Sequence, residues 1–185
     1  MKNQLRIIGG EWKRRQLSFA SIDGLRPTPD RVRETLFNWL MWDIQNAKVL
    51  DVCTGSGALA FEALSRGAKH VSMIEPNLTQ AKFLQQNMNL LRAQNVCTLH
   101  VHTAQVALNK ISGPFDLVFL DPPYSLNLWK SLAEQIEPML SEGALIYVEA
   151  DRELNTLQLP NSWVQKKHLK AGVIKAGLYQ KSTTC

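Results

Sequence analysis

Five short apolar runs that alternate with helical patterns restrict the fold of this 185-residue chain more than any other feature. The runs are predicted strands at residues 49–52, 71–74, 96–101, 117–120 and 145–148, and the patterns between them are predicted helices at residues 58–65, 78–91, 105–110 and 128–140. Strands that alternate with helices pair in parallel through right-handed crossovers. The pattern therefore predicts an α/β fold with an open, doubly wound sheet.

The N-terminal part of the chain precedes this alternation and has a different pattern. Residues 5–18 predict a β-hairpin that turns at Gly9 and Gly10. A helix is predicted after the hairpin, with Thr28 as its N-cap. We therefore predict that residues 1–42 form an extension, made of a small hairpin and a helix, that precedes the sheet domain.

The last part of the chain also departs from the alternation. Residues 163–169 and 173–179 predict two strands in direct succession, which is typical of antiparallel pairing. Such strands would complete a mixed sheet that is mostly parallel and has an antiparallel C-terminal strand. We therefore expect residues 43–185 to form one domain.

Charge is distributed unevenly along the chain. Residues 1–33 contain 8 Lys/Arg and 3 Asp/Glu, residues 34–162 contain 8 and 13, and residues 163–185 contain 5 and 0. The two ends are therefore each +5 and the middle is −5, which gives the net charge of +5. Basic ends on an acidic domain suit a polyanionic partner such as a nucleic acid, although a solvated basic surface would give the same pattern.

Several classes of protein are disfavoured by what the sequence lacks. No apolar run approaches the roughly 20 residues that span a bilayer, and the first residues lack the apolar stretch of a signal peptide. Cys53, Cys97 and Cys185 form no CxxC pair, so neither a disulfide framework nor a zinc site is predicted, and His100 and His102 are interpreted as structural. We expect a cytoplasmic monomer that uses no metal.

A glycine-rich loop follows the first predicted strand of the sheet. Asp51 ends this strand, and Gly55 and Gly57 allow a ligand to approach the bare backbone before the next helix. Glu75 ends the second strand, 24 positions after Asp51, where an acidic residue can accept hydrogen bonds from a ribose diol. Together these residues predict a nucleoside-containing cofactor.

The same loop favours S-adenosylmethionine over a dinucleotide. Dinucleotide folds place a G-x-G-x-x-G turn against a pyrophosphate, and Ala60 occupies the third position here, which some of these folds accept. Asp51, however, is a better partner for the ammonium and sulfonium groups of S-adenosylmethionine. An NAD-dependent oxidoreductase is the weaker alternative, because the sequence offers no convincing acid or base for hydride transfer.

A second loop, Asp121-Pro122-Pro123-Tyr124, follows the fourth predicted strand and reaches the same edge of the sheet. The prolines have no N–H donors, so the Asp121 carboxylate and the Pro122 carbonyl remain as acceptors, and Tyr124 offers a flat face for stacking. Two acceptors can orient the delocalised lone pair of a base amino group and stabilise the positive charge that develops on its nitrogen. The loop therefore predicts methyl transfer to the exocyclic amine of a base that is extruded from its stack.

This second loop resembles that of the methyltransferases that modify adenine N6, cytosine N4 or guanine N2. Residues 6–17, RIIGGEWKRRQL, and residues 24–40, GLRPTPDRVRETLFNWL, strongly resemble the bacterial small-subunit (16S) ribosomal RNA guanine-N2 methyltransferases of the RsmD type. Further segments, at residues 49–59, 62–68, 170–172 and 178–179, fit the same family. The resemblance covers essentially the whole chain.

The resemblance implies a class I methyltransferase, Rossmann-like fold for residues 43–185 and S-adenosylmethionine as the methyl donor. The implied acceptor is the N2 amino group of a specific guanine in 16S ribosomal RNA, within the small ribosomal subunit or its assembly intermediate. Residues assigned by motif to the cofactor are Asp51, Gly55, Gly57 and Glu75, with Thr103 and Ala104 standing where many class I enzymes contact the adenine. Residues assigned to the guanine are Asp121, Pro122, Pro123 and Tyr124.

The resemblance assigns RNA binding to the basic N-terminal extension. Its candidate phosphate contacts are Arg14, Arg15, Arg26, Arg31 and Arg33, which would supply affinity rather than sequence choice. An arginine-rich surface that only contacts solvent is the alternative interpretation.

Two other functions remain open at the level of the sequence. One is an amino methyltransferase that acts on another base, adenine N6 or cytosine N4, or on DNA or a small molecule. The other is a non-catalytic RNA-binding protein that has kept a methyltransferase fold. The intact second loop and Glu75 argue against the latter, since a decayed enzyme should lose these acceptors first.

Overall fold

The computed structural model describes residues 3–183, and this part of the chain contains nine β-strands and five α-helices. The elements follow in the order β1 (Asn3–Arg6), β2 (Gln16–Phe19), α1 (Asp30–Trp39), β3 (Lys48–Asp51), α2 (Ala58–Ser65), β4 (His70–Ile74), α3 (Leu78–Leu91), β5 (Cys97–His100), α4 (Ala104–Leu108), β6 (Phe115–Leu120), α5 (Trp129–Ile136), β7 (Leu140–Ala150), β8 (Trp163–Ala171) and β9 (Ile174–Lys181). β1 and β2 form a separate antiparallel hairpin.

The main sheet has seven strands in the order β5-β4-β3-β6-β7-β9-β8. β3 to β7 pair in parallel, whereas β9 is antiparallel to both β7 and β8. The chain therefore turns from one half of the sheet to the other between β3 and β6, which is where open α/β sheets bind ligands. The predicted mostly parallel, doubly wound fold is confirmed.

The hydrophobic core lies on both faces of this sheet. One cluster contains Leu5, Leu17 and Phe37, which precede the sheet in the chain, together with Val49 of β3 and Leu84 of α3. The other cluster joins α4 and α5 to the opposite face. The hairpin and α1 thus bury their apolar side chains in the same core as the sheet.

The connection within the N-terminal hairpin is wider than predicted. β1 ends at Arg6 and β2 begins at Gln16, so the turn predicted at Gly9 and Gly10 is part of a longer loop. Backbone hydrogen bonds of 2.9 Å close the loop, from the Ile7 N–H to the Arg15 carbonyl and from the Arg14 N–H to the Ile7 carbonyl. The loop also contacts α2, because the backbone N–H groups of Ile8 and Gly9 donate to the Glu62 carboxylate at 2.9 and 2.8 Å. Gly10 is needed for close approach, since a Cβ there would lie 1.9 Å from the Ser65 carbonyl oxygen.

The start of α1 also differs from the prediction. The helix begins at Asp30 with Pro29 at its N-cap, and no side chain caps it. Thr28 is buried, and its hydroxyl donates a weak 3.5 Å hydrogen bond to Glu149 of β7. The prediction that Thr28 caps the helix is therefore wrong, because a partner distant in sequence takes its hydroxyl.

The boundary between α5 and β7 lies earlier in the chain than the sequence pattern predicts. α5 ends at Ile136, a 3-10 turn spans Glu137–Met139, and β7 already begins at Leu140. Pro138 accounts for this end, because a proline removes a helical N–H donor and clashes with the preceding turn. No helix within residues 3–183 is long and apolar enough to cross a bilayer.

Candidate active site

Four acidic side chains meet at the carboxyl edge of the parallel strands. Asp51 ends β3, Glu75 follows β4, Asp121 follows β6, and Glu149 is the penultimate residue of β7. Burial and the proximity of Glu75 raise the pKa of Asp51 to about 8. Burial, followed by the proximity of Glu149 and Asp51, raises the pKa of Asp121 well above its usual value. The edge therefore favours a positively charged ligand, which would relieve the repulsion among these groups.

The glycine loop connects β3 to α2 and is fixed by hydrogen bonds to residues after β4. Gly55 and Gly57 have φ values of +54° and +83°, in the left-handed region that favours glycine. The Gly55 N–H donates to Glu75 Oε2 at 3.1 Å, and its carbonyl accepts from the Gln80 side-chain amide at 2.7 Å. Gln80 in turn accepts from the Ala20 N–H at 2.8 Å. The loop is thereby connected both to Glu75 and to the segment that follows the N-terminal hairpin.

The acceptors around this loop fit a nucleoside that carries an ammonium group. Asp51 is 2% exposed, and its Oδ2 atom is buried without a hydrogen-bond partner in the described part of the chain. A cationic ligand group would satisfy this atom. Each Glu75 oxygen accepts one backbone N–H, from Gly55 and Asn77, and retains capacity for a ligand hydroxyl. The residues present therefore fit S-adenosylmethionine.

Thr103 and Ala104 follow β5, which ends at His100. The Glu75 N–H donates to the His100 carbonyl oxygen at 3.1 Å, which places the end of β5 beside Glu75. Thr103 is exposed and precedes α4, and Ala104 is buried as the first residue of that helix. Their contact with an adenine ring stays a prediction.

The second loop is fixed through Tyr124. The Tyr124 hydroxyl donates to Glu149 Oε1 at 3.0 Å, and its ring stacks on Trp129 with the centroids 6.0 Å apart and the planes inclined by 26°. Arg152 donates to the Tyr124 carbonyl oxygen at 3.2 Å and places its guanidinium 4.8 Å from the centre of the Trp129 ring. Asp121 is only partly buried, so it can face an incoming base.

Glu149 is a site residue that the sequence analysis missed. It is 3% exposed, and besides Tyr124 it accepts hydrogen bonds from the Tyr147 hydroxyl at 2.8 Å and from Thr28. Burial raises its pKa, although the three hydroxyl donors oppose this shift. The available signal was its position, because an acidic residue directly after a predicted parallel strand stands at the same edge as Glu75.

Comparison with known sequences decides the family. The family described as "Conserved hypothetical protein 95" matches residues 5–180. The chain belongs to this family. Ribosomal RNA small subunit methyltransferase D of Haemophilus influenzae is 41% identical to this chain, over 97% of this chain and 95% of its own length. The protein of the same name from Escherichia coli K12 is 39% identical, over 96% and 90%. The resemblance to the RsmD family is confirmed.

Comparison with solved structures supports the fold. "Putative methyltransferase yhhF" from Escherichia coli superimposes with a TM-score of 0.89 at 36% sequence identity, and it covers 98% of this chain and 100% of its own. The class I methyltransferase fold that the resemblance implied is confirmed.

Four of the five arginines predicted to contact RNA are exposed in this RsmD-family chain. Arg14, Arg15, Arg26 and Arg31 lie on the surface of the hairpin loop, the following segment and α1. Arg15 donates to the Leu90 carbonyl oxygen at 3.2 Å, which holds part of its guanidinium against α3. RNA binding by these four residues stays a prediction.

Arg33 does not fit this assignment. Its side chain is 1% exposed and donates to the carbonyl oxygens of Thr28 and Arg6 at 3.1 and 2.9 Å. It also pairs with Asp30 and lies 3.5 Å from the buried Glu62 carboxylate. The prediction that Arg33 contacts RNA is wrong, because its donors face protein acceptors. The signal was its position four residues before the buried Phe37, on the same side of α1.

The described part of the chain gives no indication of a metal centre. Within residues 3–183 no group of three or more His, Cys, Asp or Glu side chains could hold a metal ion. Cys53 is partly buried next to the site and Cys97 is buried, both as free thiols. Cys185 lies outside the described residues.

Proposed function

We propose that this protein is an S-adenosylmethionine-dependent methyltransferase that methylates the N2 amino group of a guanine in 16S ribosomal RNA. The observation that carries the proposal is the adjacency of the two loops. β3 and β6 pair with Asp51 opposite Phe119, and Asp121 follows two residues later. The group that selects a cationic cofactor and the group that faces the base therefore stand on neighbouring strands.

Asp51 and Glu75 bind and orient the cofactor in this proposal. The Asp51 carboxylate accepts from the α-ammonium, and the Glu75 carboxylate accepts from the ribose hydroxyls. When bound, S-adenosylmethionine supplies an electrophilic methyl group. The positive charge of the bound molecule also favours the ionised forms of Asp51 and Asp121, whose pKa values are raised in its absence.

Asp121 and Pro122 orient the acceptor. The Asp121 carboxylate and the Pro122 carbonyl oxygen accept the two N–H groups of N2, which directs the nitrogen lone pair at the methyl carbon. Transfer would break the bond between the methyl carbon and sulfur, leave S-adenosylhomocysteine and release one proton from N2, for which the Asp121 carboxylate is the adjacent acceptor. Glu149 holds Tyr124 by its hydroxyl, so that the Tyr124 ring keeps a fixed position beside the base.

The choice of ribosomal RNA rests on the relatives and on charge. Relatives named ribosomal RNA small subunit methyltransferase D are 33–41% identical over nearly the whole chain. The basic ends of the chain suit a polyanion. Small subunits or their assembly intermediates as the substrate particle, a monomeric state and a cytoplasmic location remain predictions.

The proposal is tested by the identity of the methylated product. Small subunits that lack the modification, naked 16S ribosomal RNA and duplex DNA are each incubated with tritiated S-adenosylmethionine, and the nucleosides are separated after digestion. We expect label in N2-methylguanosine from the small subunit. Label in N6-methyladenosine would overturn the choice of base. Absence of label on every substrate, despite measurable S-adenosylhomocysteine binding, would favour a non-catalytic RNA-binding protein.

A further inference from the structure

β8 is the outermost strand of the main sheet and is covered on neither face along much of its length. Five consecutive residues, 164–168, are exposed. A strand that packs one face on a core alternates exposed and buried residues. β8 therefore presents both faces and its outer edge to solvent over this stretch, whereas no residue of the adjoining β9 is exposed.

The exposed part of β8 is strongly basic. Residues 163–185 contain five lysines and no acidic residue, and three of the lysines, Lys166, Lys167 and Lys170, are exposed on β8. The pairing of β8 with β9 shifts register between Gln165 and Lys167, so Lys166 is an extra residue there. Lys170 forms an exposed ion pair with Glu153 at 3.5 Å. Because such a pair contributes little to stability, Lys170 is able to change partner.

The basic edge begins two strands away from the end of β7, where Glu149 holds Tyr124 of the second loop. Ala150, which follows Glu149, pairs with Lys175 of β9, and Lys175 pairs with Lys170 of β8. Two strand spacings of about 4.8 Å place the Lys170 backbone roughly 10 Å from that of Ala150. Lys167 lies three residues further along, roughly 10 Å from Lys170 at the usual rise per residue. In the order of the strands, β8 and the glycine loop lie on opposite sides of the second loop.

We propose that Lys166, Lys167 and Lys170 form a second RNA-contact surface, the β8 edge, which binds backbone phosphates next to the target guanine. The inference rests on the proposed function, because it places the flanking RNA of that same substrate. RNA fits better than an acidic protein, since the lysines follow one strand whose carboxyl end lies roughly 10 Å from Ala150, next to Glu149. Phosphate contacts of this kind add affinity and salt dependence without selecting sequence.

Lysines on an edge strand have a second role that the test must separate. They prevent edge-to-edge association of sheets. Replacement by glutamate separates the two roles, because a glutamate on the edge also prevents association but repels phosphate. The test variant is Lys166→Glu with Lys167→Glu. The matched control is Lys48→Glu with Lys69→Glu, which makes the same charge change at the exposed amino ends of β3 and β4, on the opposite edge of the sheet.

The measurements are KM and kcat on unmethylated small subunits, direct binding of naked 16S ribosomal RNA as a function of salt, and S-adenosylhomocysteine binding. For the β8 variant we expect KM to rise by about tenfold or more at low salt, with kcat unchanged within about twofold. The slope of log affinity against log salt should fall by about 1.4 to 1.8 for two lost contacts. Cofactor binding and the control variant should match the native protein.

Two results would overturn the inference. Equal KM values for the β8 variant and its control would show that the edge contacts no RNA. A defect on assembled subunits without any loss of affinity for naked RNA would assign the edge to a ribosomal protein. Failure of the native protein to methylate any ribosomal RNA would instead refute the proposed function, and RNA binding by the β8 edge would then be decided by the binding measurement alone.

Discussion

At the scale of single residues, Asp51 makes the cofactor-free site sensitive to pH. Its pKa of about 8 follows from burial and from the neighbouring Glu75. A cationic ligand binds the ionised carboxylate. Below pH 8 most of the cofactor-free protein has Asp51 protonated, so ligand binding requires that this proton is released. We therefore predict that S-adenosylhomocysteine, which retains the α-ammonium, binds more tightly as the pH rises from 6 to 8, with release of a proton.

The measurement is titration calorimetry in two buffers with different ionisation enthalpies. Asp51→Asn should bind more weakly and lose the pH dependence, and the exposed Asp43→Asn serves as the control. An affinity that stays constant between pH 6 and 8 would contradict this account of Asp51.

The raised pKa of Asp51 also affects folding stability. The protonated Asp51 contributes stability that is fully present below the unfolded pKa of about 4 and is lost as the pH rises through about 8.

The hydroxyl of Tyr147 supports Glu149 from within the core. Tyr147 is fully buried and donates to Glu149 Oε2 at 2.8 Å. Tyr147→Phe leaves this buried acceptor with one donor fewer, and we predict that the free energy of unfolding falls by about 1–3 kcal/mol. Tyr179→Phe is the control, because the Tyr179 hydroxyl makes only a long 3.4 Å bond to Gln165. Denaturant titrations of both variants check the prediction, and equal losses would contradict it.

At the scale of elements, Gly57 connects the glycine loop to α2 at a position where the surrounding side chains pack closely. It has a φ of +83°, and a Cβ there would lie 2.6 Å from the Phe61 ring. Gly24 has nearly the same φ, +81°, but a Cβ there would meet nothing within 4 Å. The two glycines therefore separate the backbone requirement from the packing requirement.

Alanine at these two positions should have different effects. Gly24→Ala imposes only the left-handed strain, about 1–2 kcal/mol. Gly57→Ala adds overpacking, so we predict a total loss of about 3 kcal/mol or more in the free energy of unfolding. It should also weaken S-adenosylhomocysteine binding by about tenfold or more, a difference of about 1.4 kcal/mol. Thermal unfolding and calorimetry of both variants provide the test; similar losses of stability and affinity would show that packing at Gly57 is unimportant.

The N-terminal hairpin shows how one buried group can attach an element. The Glu62 carboxylate of α2 is fully buried and accepts from the hairpin loop at Ile8 and Gly9, and it also pairs with Arg66. α2 itself follows the glycine loop. The proposed RNA-binding extension is therefore attached to α2, the helix that follows the glycine loop.

The sequence predicted the elements and the two loops because both depend on local pattern. Short apolar runs that alternate with helical patterns predicted the strands. The residues that define each loop, around Asp51 and around Asp121, lie within a few positions of one another in the sequence. The missed features join distant parts of the chain. Thr28 and Glu149 are 121 residues apart, and Glu62 reaches a loop 53–54 residues earlier. No local pattern shows such contacts, and the local sequence around Thr28 therefore predicts a cap.

At the scale of the whole molecule, charge and topology agree. The order of the strands places the glycine loop, the second loop and the β8 edge in succession across the sheet. The acidic middle of the chain supplies buried carboxyl groups that suit a cationic cofactor, and the basic ends supply exposed residues that suit a polyanion. One fold can therefore attract two ligands of opposite charge to adjacent sites.

The central claim is that Asp121 orients the base amine for methyl transfer, and single-turnover kinetics on unmethylated small subunits test it most directly. Asp121→Asn keeps the shape of the side chain but removes its negative charge, with Asp43→Asn as the exposed control. The account predicts that the rate of N2-methylguanosine formation falls by about 10²-fold or more, while S-adenosylhomocysteine binding and the affinity for the particle remain close to native. A rate within a few-fold of the native rate would contradict the account.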